Sequence, residues 1–144
     1  MPSTSLSVCR ATVFCASIDF CTLLANWLSE HYRDLRVERY VGSLNDPYEN
    51  LITPDISVST HGSAGTAVDI PQLTAVIMSQ SMRSSPGSVQ NLGRLRKLPD
   101  GRRPSYTFLV CEDIPKHIEY HEHRQKLLDG RVKSIQIDRT RIVV

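Results

Sequence analysis

The sequence predicts an α/β domain built on a mostly parallel sheet, and three observations carry that prediction. A continuous apolar run at 11–16 is expected of a strand buried on both faces, and segments at 56–60, 74–79 and 105–111 also look like strands, with turn residues between them. Amphipathic segments or crossovers separate the runs and are long enough to return the chain for parallel pairing. The length of 144 residues, with 40% hydrophobic and 22% charged content, gives a single ordinary domain and excludes disordered or collagen-like chains.

Taken in order, residues 1–9 are a polar N-terminal segment and the domain occupies 10–144. After the first strand, 18–31 carries Leu23, Leu24, Trp27 and Leu28 at helical spacing, with Leu24, Trp27 and Leu28 expected in the core. Residues 37–41 suggest a second short strand, and 42–54 is rich in turn dipeptides. The third strand, 56–60, runs into a small-residue loop at 61–66. The fourth, 74–79, leads through a polar loop to a helix over 86–95. Pro99, Gly101 and Pro104 mark a loop before the fifth strand, where Phe14 of the first strand and Tyr106 are expected to pack. Pro115 opens a final helix that sets Ile118, His121, Gln125 and Leu128 on one side and closes at Gly130. Residues 132–137 alternate, which suggests an edge strand or an extended tail. Ligands of parallel sheets collect at the carboxyl ends of the strands, so Ser17, 60–66, 79–81 and 111–113 should share one rim.

Other features narrow the classes. Seventeen Lys and Arg against fifteen Asp and Glu give a net charge of +2, so local charge matters more than the total. Arg83, Arg94, Arg96, Lys97, Arg102 and Arg103 gather within about twenty residues, as a phosphate-contacting patch or a solubilising face. Cys9, Cys15, Cys21 and Cys111 lack the spacing of a zinc knuckle and read as free thiols. His117 and His121 lie one helical turn apart, but the H-E-x-x-H order is absent, so a polar helix face is expected and no metal site. The polar start and the short apolar stretch at 11–16 predict neither a signal peptide nor a membrane span, hence a cytoplasmic chain.

Two segments carry chemistry. In the first, Ser59-Thr60-His61-Gly62-Ser63-Ala64-Gly65-Thr66-Ala67-Val68-Asp69-Ile70-Pro71, small residues after a strand let backbone N–H groups approach a phosphate, and Asp69 suits a ribose hydroxyl or a coupling arginine. A tight connection is the competing reading. The second, Gln90-Asn91-Leu92-Gly93-Arg94-Leu95-Arg96-Lys97, brings cations to a helix end, where an arginine can brace charge developing on a transferring phosphoryl group. A solvated basic turn is its alternative.

Together, S-T-x-G-x-x-G-x-x-x-D-I-P and Q-x-x-G-R-x-x-K resemble motifs V and VI of the second RecA-like domain of superfamily 2 helicases. ATVFCAS followed by a helix is similar to motif IV, so the resemblance covers about residues 10–130. The stretch from Tyr106 to Leu128 is similar to phage recombination-repair helicases of the UvsW type. The resemblance implies a RecA-like sheet with helices on both faces. It also implies that Ser17, Thr60, His61 and Gly62 meet nucleic-acid backbone. It assigns Gly65, Asp69, Gln90 and Arg94 to ATP, with Arg94 as an arginine finger. Lys97 replaces a second arginine; lysine lacks the planar fork, and Arg96 is the alternative cation. The 42–54 region is short for the family, with little room for its customary helix.

No G-x-x-x-x-G-K-S/T phosphate loop occurs in the chain. The resemblance therefore implies ATP with Mg2+ held mainly by an N-terminal RecA-like domain supplied in cis or in trans, and no ATP turnover by this chain alone. It implies DNA, single-stranded or branched, as substrate, with RNA as the alternative, and a role in DNA repair or recombination. The competing reading is a non-catalytic module that binds nucleic acid alone or completes a helicase.

Overall fold

The computed structural model describes residues 10–60, 73–79, 105–128, 134 and 136–140. Five strands, β1 (Arg10–Cys15), β2 (Val37–Tyr40), β3 (Ile56–Thr60), β4 (Leu73–Met78) and β5 (Ser105–Phe108), form one sheet in the order β2-β3-β1-β4-β5. Every pairing is parallel, as the apolar runs predict. The helices are α1 (Ile18–His31), α2 (Glu49–Ile52) and α3 (Pro115–Leu128).

The central strand β1 sends alternate side chains to two cores. Val13 and Cys15 join Cys21 and Ala25 of α1, with Val37, Val41 and Val58, while Leu24 and Leu28 pack around them. Phe14 faces the other way, with Leu51 of α2, Val76 and Met78, flanked by Tyr40, Tyr106 and Phe108. Helices therefore cover both faces of the sheet, and Phe14 and Tyr106 pack as expected. Between β1 and β3 a buried polar pair, Thr12 Oγ1 and Ser57 Oγ, is satisfied internally at 2.9 Å. At the amino end of the sheet β4 bulges at Thr74, whose hydroxyl donates to the Arg10 carbonyl at 2.8 Å.

The turn-rich segment after β2 folds as a 3-10 turn, Gly42–Leu44, followed by the four-residue α2. Asn45 closes the 3-10 turn with φ of 59°, a left-handed conformation that asparagine tolerates. A clamp holds this segment to the sheet. The Arg39 fork donates to both oxygens of Asp46 at 2.8 and 2.9 Å and to Thr22 Oγ1 of α1 at 2.9 Å. Asp46 Oδ2 also accepts from the Val41 amide at 2.9 Å. The Asp46 carboxyl is consequently held below its ordinary pKa, chiefly by the Arg39 hydrogen bonds.

Two expectations are corrected. Trp27 is 48% exposed, because it lies about 120° round α1 from the buried Cys21, on a helix turning about 100° per residue. It stacks instead on His31, with centroids 3.9 Å apart. The fifth strand stops at Phe108: its partner β4 ends at Met78, whose carbonyl takes one last bond from the Leu109 amide. Of the two alternatives for 132–137, the described residues 134, 136 and 137 form no edge strand, which favours the tail; Ile137 is exposed, and Arg139 Nε donates to Glu112 Oε1 at 2.8 Å. His117 and His121 are half-buried on α3. The helix expected at 86–95, Cys9 and Gly130 lie outside the described residues.

Candidate nucleic-acid interface

At the carboxyl rim of the sheet lie two of the residues predicted to contact phosphate, Ser17 and Thr60. β1 ends at Cys15, opposite Thr60 in the register with β3, and Ser17 follows at the start of α1. Ser17 is extended (φ −139°, ψ 158°), and its Oγ accepts the Phe20 amide at 3.2 Å, which caps the helix. The hydroxyl keeps its own proton to donate outward, and the first-turn amides face the same rim. Asp19 places one carboxylate in that turn, a local repulsion that any phosphate there must clear.

Thr60 ends β3 at the same level. Its neighbour Ser59 is fully buried, and the Ser59 hydroxyl donates to the Tyr40 carbonyl at 2.6 Å. Ser59 therefore ties β3 to β2 and does not serve a ligand, although it belongs to the same motif. On the other side of β1, Ser79 donates its amide at 3.0 Å and its hydroxyl at 2.6 Å to the Phe14 carbonyl. That anchor gives Ser79 a positioning role that sequence reasoning missed: a serine after an apolar run carries no signal of which carbonyl it will meet. The segments bearing the two motif sequences thus leave from β3 and β4, the two strands that flank β1. At ordinary strand spacing their exits stand about 10 Å apart, with Ser17 between them.

Beneath the rim, the Cys15 thiol meets Ser79 and Cys21, and both cysteines are fully buried. Burial pushes the Cys15 thiol up and the Cys21 thiol up to about 12, so both stay protonated packing groups. Beyond β5, the Cys111 amide donates to His117 Nδ1 at 3.1 Å.

Of the predicted site residues, Ser17 and Thr60 are thus brought to one rim. His61, Gly62, Gly65, Asp69, Gln90, Arg94, Arg96 and Lys97 lie outside the described residues, as do Arg83, Arg102 and Arg103. No described helix is long and apolar enough to cross a membrane. Among the described residues, no group of three or more His, Cys, Asp or Glu is placed to hold a metal ion.

No protein-family model matches the chain, and no curated protein matches it. Among solved structures, the chain is similar to the C-terminal domain of S. cerevisiae Dbp5, solved bound to Gle1 and IP6. The TM-score is 0.57 at 13% identity, over 89% of this chain and 74% of that one. The likeness extends over most of both chains and shows the fold: a five-stranded parallel α/β sheet consistent with a RecA-like domain.

Proposed function

We propose that the chain acts as the second RecA-like domain of an ATP-dependent superfamily 2 nucleic-acid helicase or translocase. One observation carries the reading. The strands that lead into the motif V and motif VI sequences flank β1 at a single rim, and the capped Ser17 lies between them.

In this reading Ser17 and Thr60, with His61 and Gly62, hold consecutive backbone phosphates by hydroxyl and amide donors. Gly65 and Asp69 meet the ribose side of a nucleotide, and Gln90 helps to place it. Arg94 braces charge at the γ-phosphate, with Lys97 or Arg96 as a second cation. ATP with Mg2+ supplies the phosphoryl transfer that drives movement. The start of α1 offers a hydroxyl and amides with one carboxylate, Asp19, in its first turn, a donor set that suits phosphate.

The test is reconstitution. ATPase activity is measured for the chain alone and with a RecA-like domain that carries the phosphate loop, with single-stranded or branched DNA and with RNA. Stimulated turnover by the pair, lost by roughly 10³-fold or more in Arg94→Ala, supports the reading. Unchanged turnover in Arg94→Ala removes Arg94 from the site.

The absence of a G-x-x-x-x-G-K-S/T sequence from these 144 residues favours a second reading, a non-catalytic module that binds nucleic acid on its own. Salt-sensitive oligonucleotide binding that persists without any ATPase in the reconstituted pair supports it.

A further inference from the structure

Of the large hydrophobic side chains exposed among the described residues, six fall between Ile18 and Leu35, on α1 and just past its end. Phe20, Leu23 and Trp27 recur at i, i+3 and i+7, a narrow seam of heptad spacing. The seam turns away from Cys21 and Ala25, the arc of α1 that enters the core. Leu23 is 65% exposed and Phe20 43%. One helix thus carries two apolar arcs, and the sheet takes only one.

Trp27 is fixed in place by its neighbours. Its ring stacks on His31, whose Nδ1 lies 2.8 Å from the Trp27 carbonyl, and Tyr32 meets its edge at 6.4 Å between centroids. A tryptophan already held loses little freedom on being covered, which favours it as a binding anchor. Phe20, Leu23, Trp27 and Tyr32, each about half exposed, present about 400 Å2 of apolar surface. Doubled across a two-fold axis and widened by its polar flank, that area clears the ~1,000 Å2 floor of a specific interface.

The charges around the seam favour one orientation. Asp19 and Arg33 are both exposed, and Arg33, just past the helix end, follows Asp19 by two heptads. Exposed Glu30 stands where the seam would continue. Parallel pairing of two such helices would set Asp19 against Asp19 and Glu30 against Glu30. Antiparallel pairing brings Asp19 towards Arg33 of a second copy. It also brings Glu30 beside the amino end of that copy's α1, where the helix dipole favours a carboxylate.

We propose that this face of α1 binds the same face of a second copy of the chain, antiparallel, in a two-fold symmetric dimer. Leu23 of each copy packs against Trp27 of the other. The two carboxyl rims, each at the amino end of its own α1, are carried to opposite ends of the pair. The dimer does not depend on the motor reading.

The test is sedimentation equilibrium of the whole chain at about 1–200 μM, the range in which an interface of this size associates. The mass should rise from 16.2 kDa towards twice that value. Emission from Trp27, the single tryptophan of the chain, should move to shorter wavelength along the same curve. Leu23→Glu, at a position outside both cores, should raise the dissociation constant about tenfold or more with an unchanged circular dichroism spectrum. Asp19→Arg and Arg33→Glu should each weaken the pair, and the two together should recover most of the loss. Should a variant not fold, the mass and Trp27 emission of the unaltered chain decide. A constant 16.2 kDa across the range overturns the proposal, whatever else then covers the seam. So does a dimer that is equally strong in Leu23→Glu, or one that the Asp19 and Arg33 exchange does not restore.

Discussion

The carbonyl of Phe14 receives two hydrogen bonds from one residue, Ser79, through its amide and its hydroxyl. The first continues the β1–β4 ladder past its last paired rung, and the second locks the point at which the chain leaves β4. Ser79→Ala should therefore cost about 1 kcal/mol in urea unfolding, with an unchanged m-value. In the reconstituted motor it should lower coupled ATPase more than nucleic-acid affinity, since the segment that shifts carries Arg94 and not Ser17.

Ser17 has two roles that substitution can separate. Ser17→Ala removes the helix cap and should destabilise by ~0.5–2 kcal/mol. Ser17→Asp keeps a capping oxygen and favours the positive helix end, so stability should be retained. The added negative charge should nevertheless weaken oligonucleotide binding, measured by anisotropy across a salt series. Equal binding by Ser17→Asp and the unaltered chain would remove Ser17 from the interface.

Asp46 makes stability depend on pH. Its carboxyl is depressed in the folded chain, so its stabilisation is complete above the unfolded carboxylate value of about 4 and fades as pH falls through the folded value. Asp46→Asn breaks a partly buried charge-assisted pair and should cost about 1–3 kcal/mol at neutral pH. The difference between the two proteins should shrink in acid, which chemical denaturation at several pH values reads directly.

Thiol chemistry should be sharply ordered. Cys111 is exposed, whereas Cys15 and Cys21 are buried and held protonated. A thiol reagent at neutral pH should label Cys111 in the native chain and reach Cys15 and Cys21 only on unfolding, as peptide mapping after timed alkylation would show. Early labelling at Cys15 would contradict the closed contact with Ser79.

The strands were legible because β1 is a continuous apolar run and β3, β4 and β5 are short β-prone segments set between turn residues, and Ser17 was legible as the residue at the end of the first strand. The limits of the strands were less so. Residues 109–111 are as apolar as a strand, yet a strand needs a neighbour, and β4 stops at Met78. Trp27 belongs to the apolar set of its helix by composition, but a core accepts only one arc, and Cys21, Ala25 and Leu28 fill it. The burial of Arg124 on α3 was hidden for the opposite reason. Histidine and arginine in a helix suggest solvent, and only the position of Phe108 beneath Arg124 shows otherwise. Ser59 and Thr60 are adjacent hydroxyl residues of one motif, and the two-residue period of a strand sends them to opposite faces.

The sheet order has a consequence for how the chain is made. β1 is synthesised first among the strands, yet both of its neighbours come much later, as the Thr12–Ser57 and Phe14–Ser79 bonds, 45 and 65 residues apart, record. A nascent chain must therefore carry a largely apolar strand with two open edges until β3 has emerged, and with one open edge until β4 follows. Closure of those long loops should govern the folding rate, and the interval before it is when a stray strand from another chain can take the vacant place.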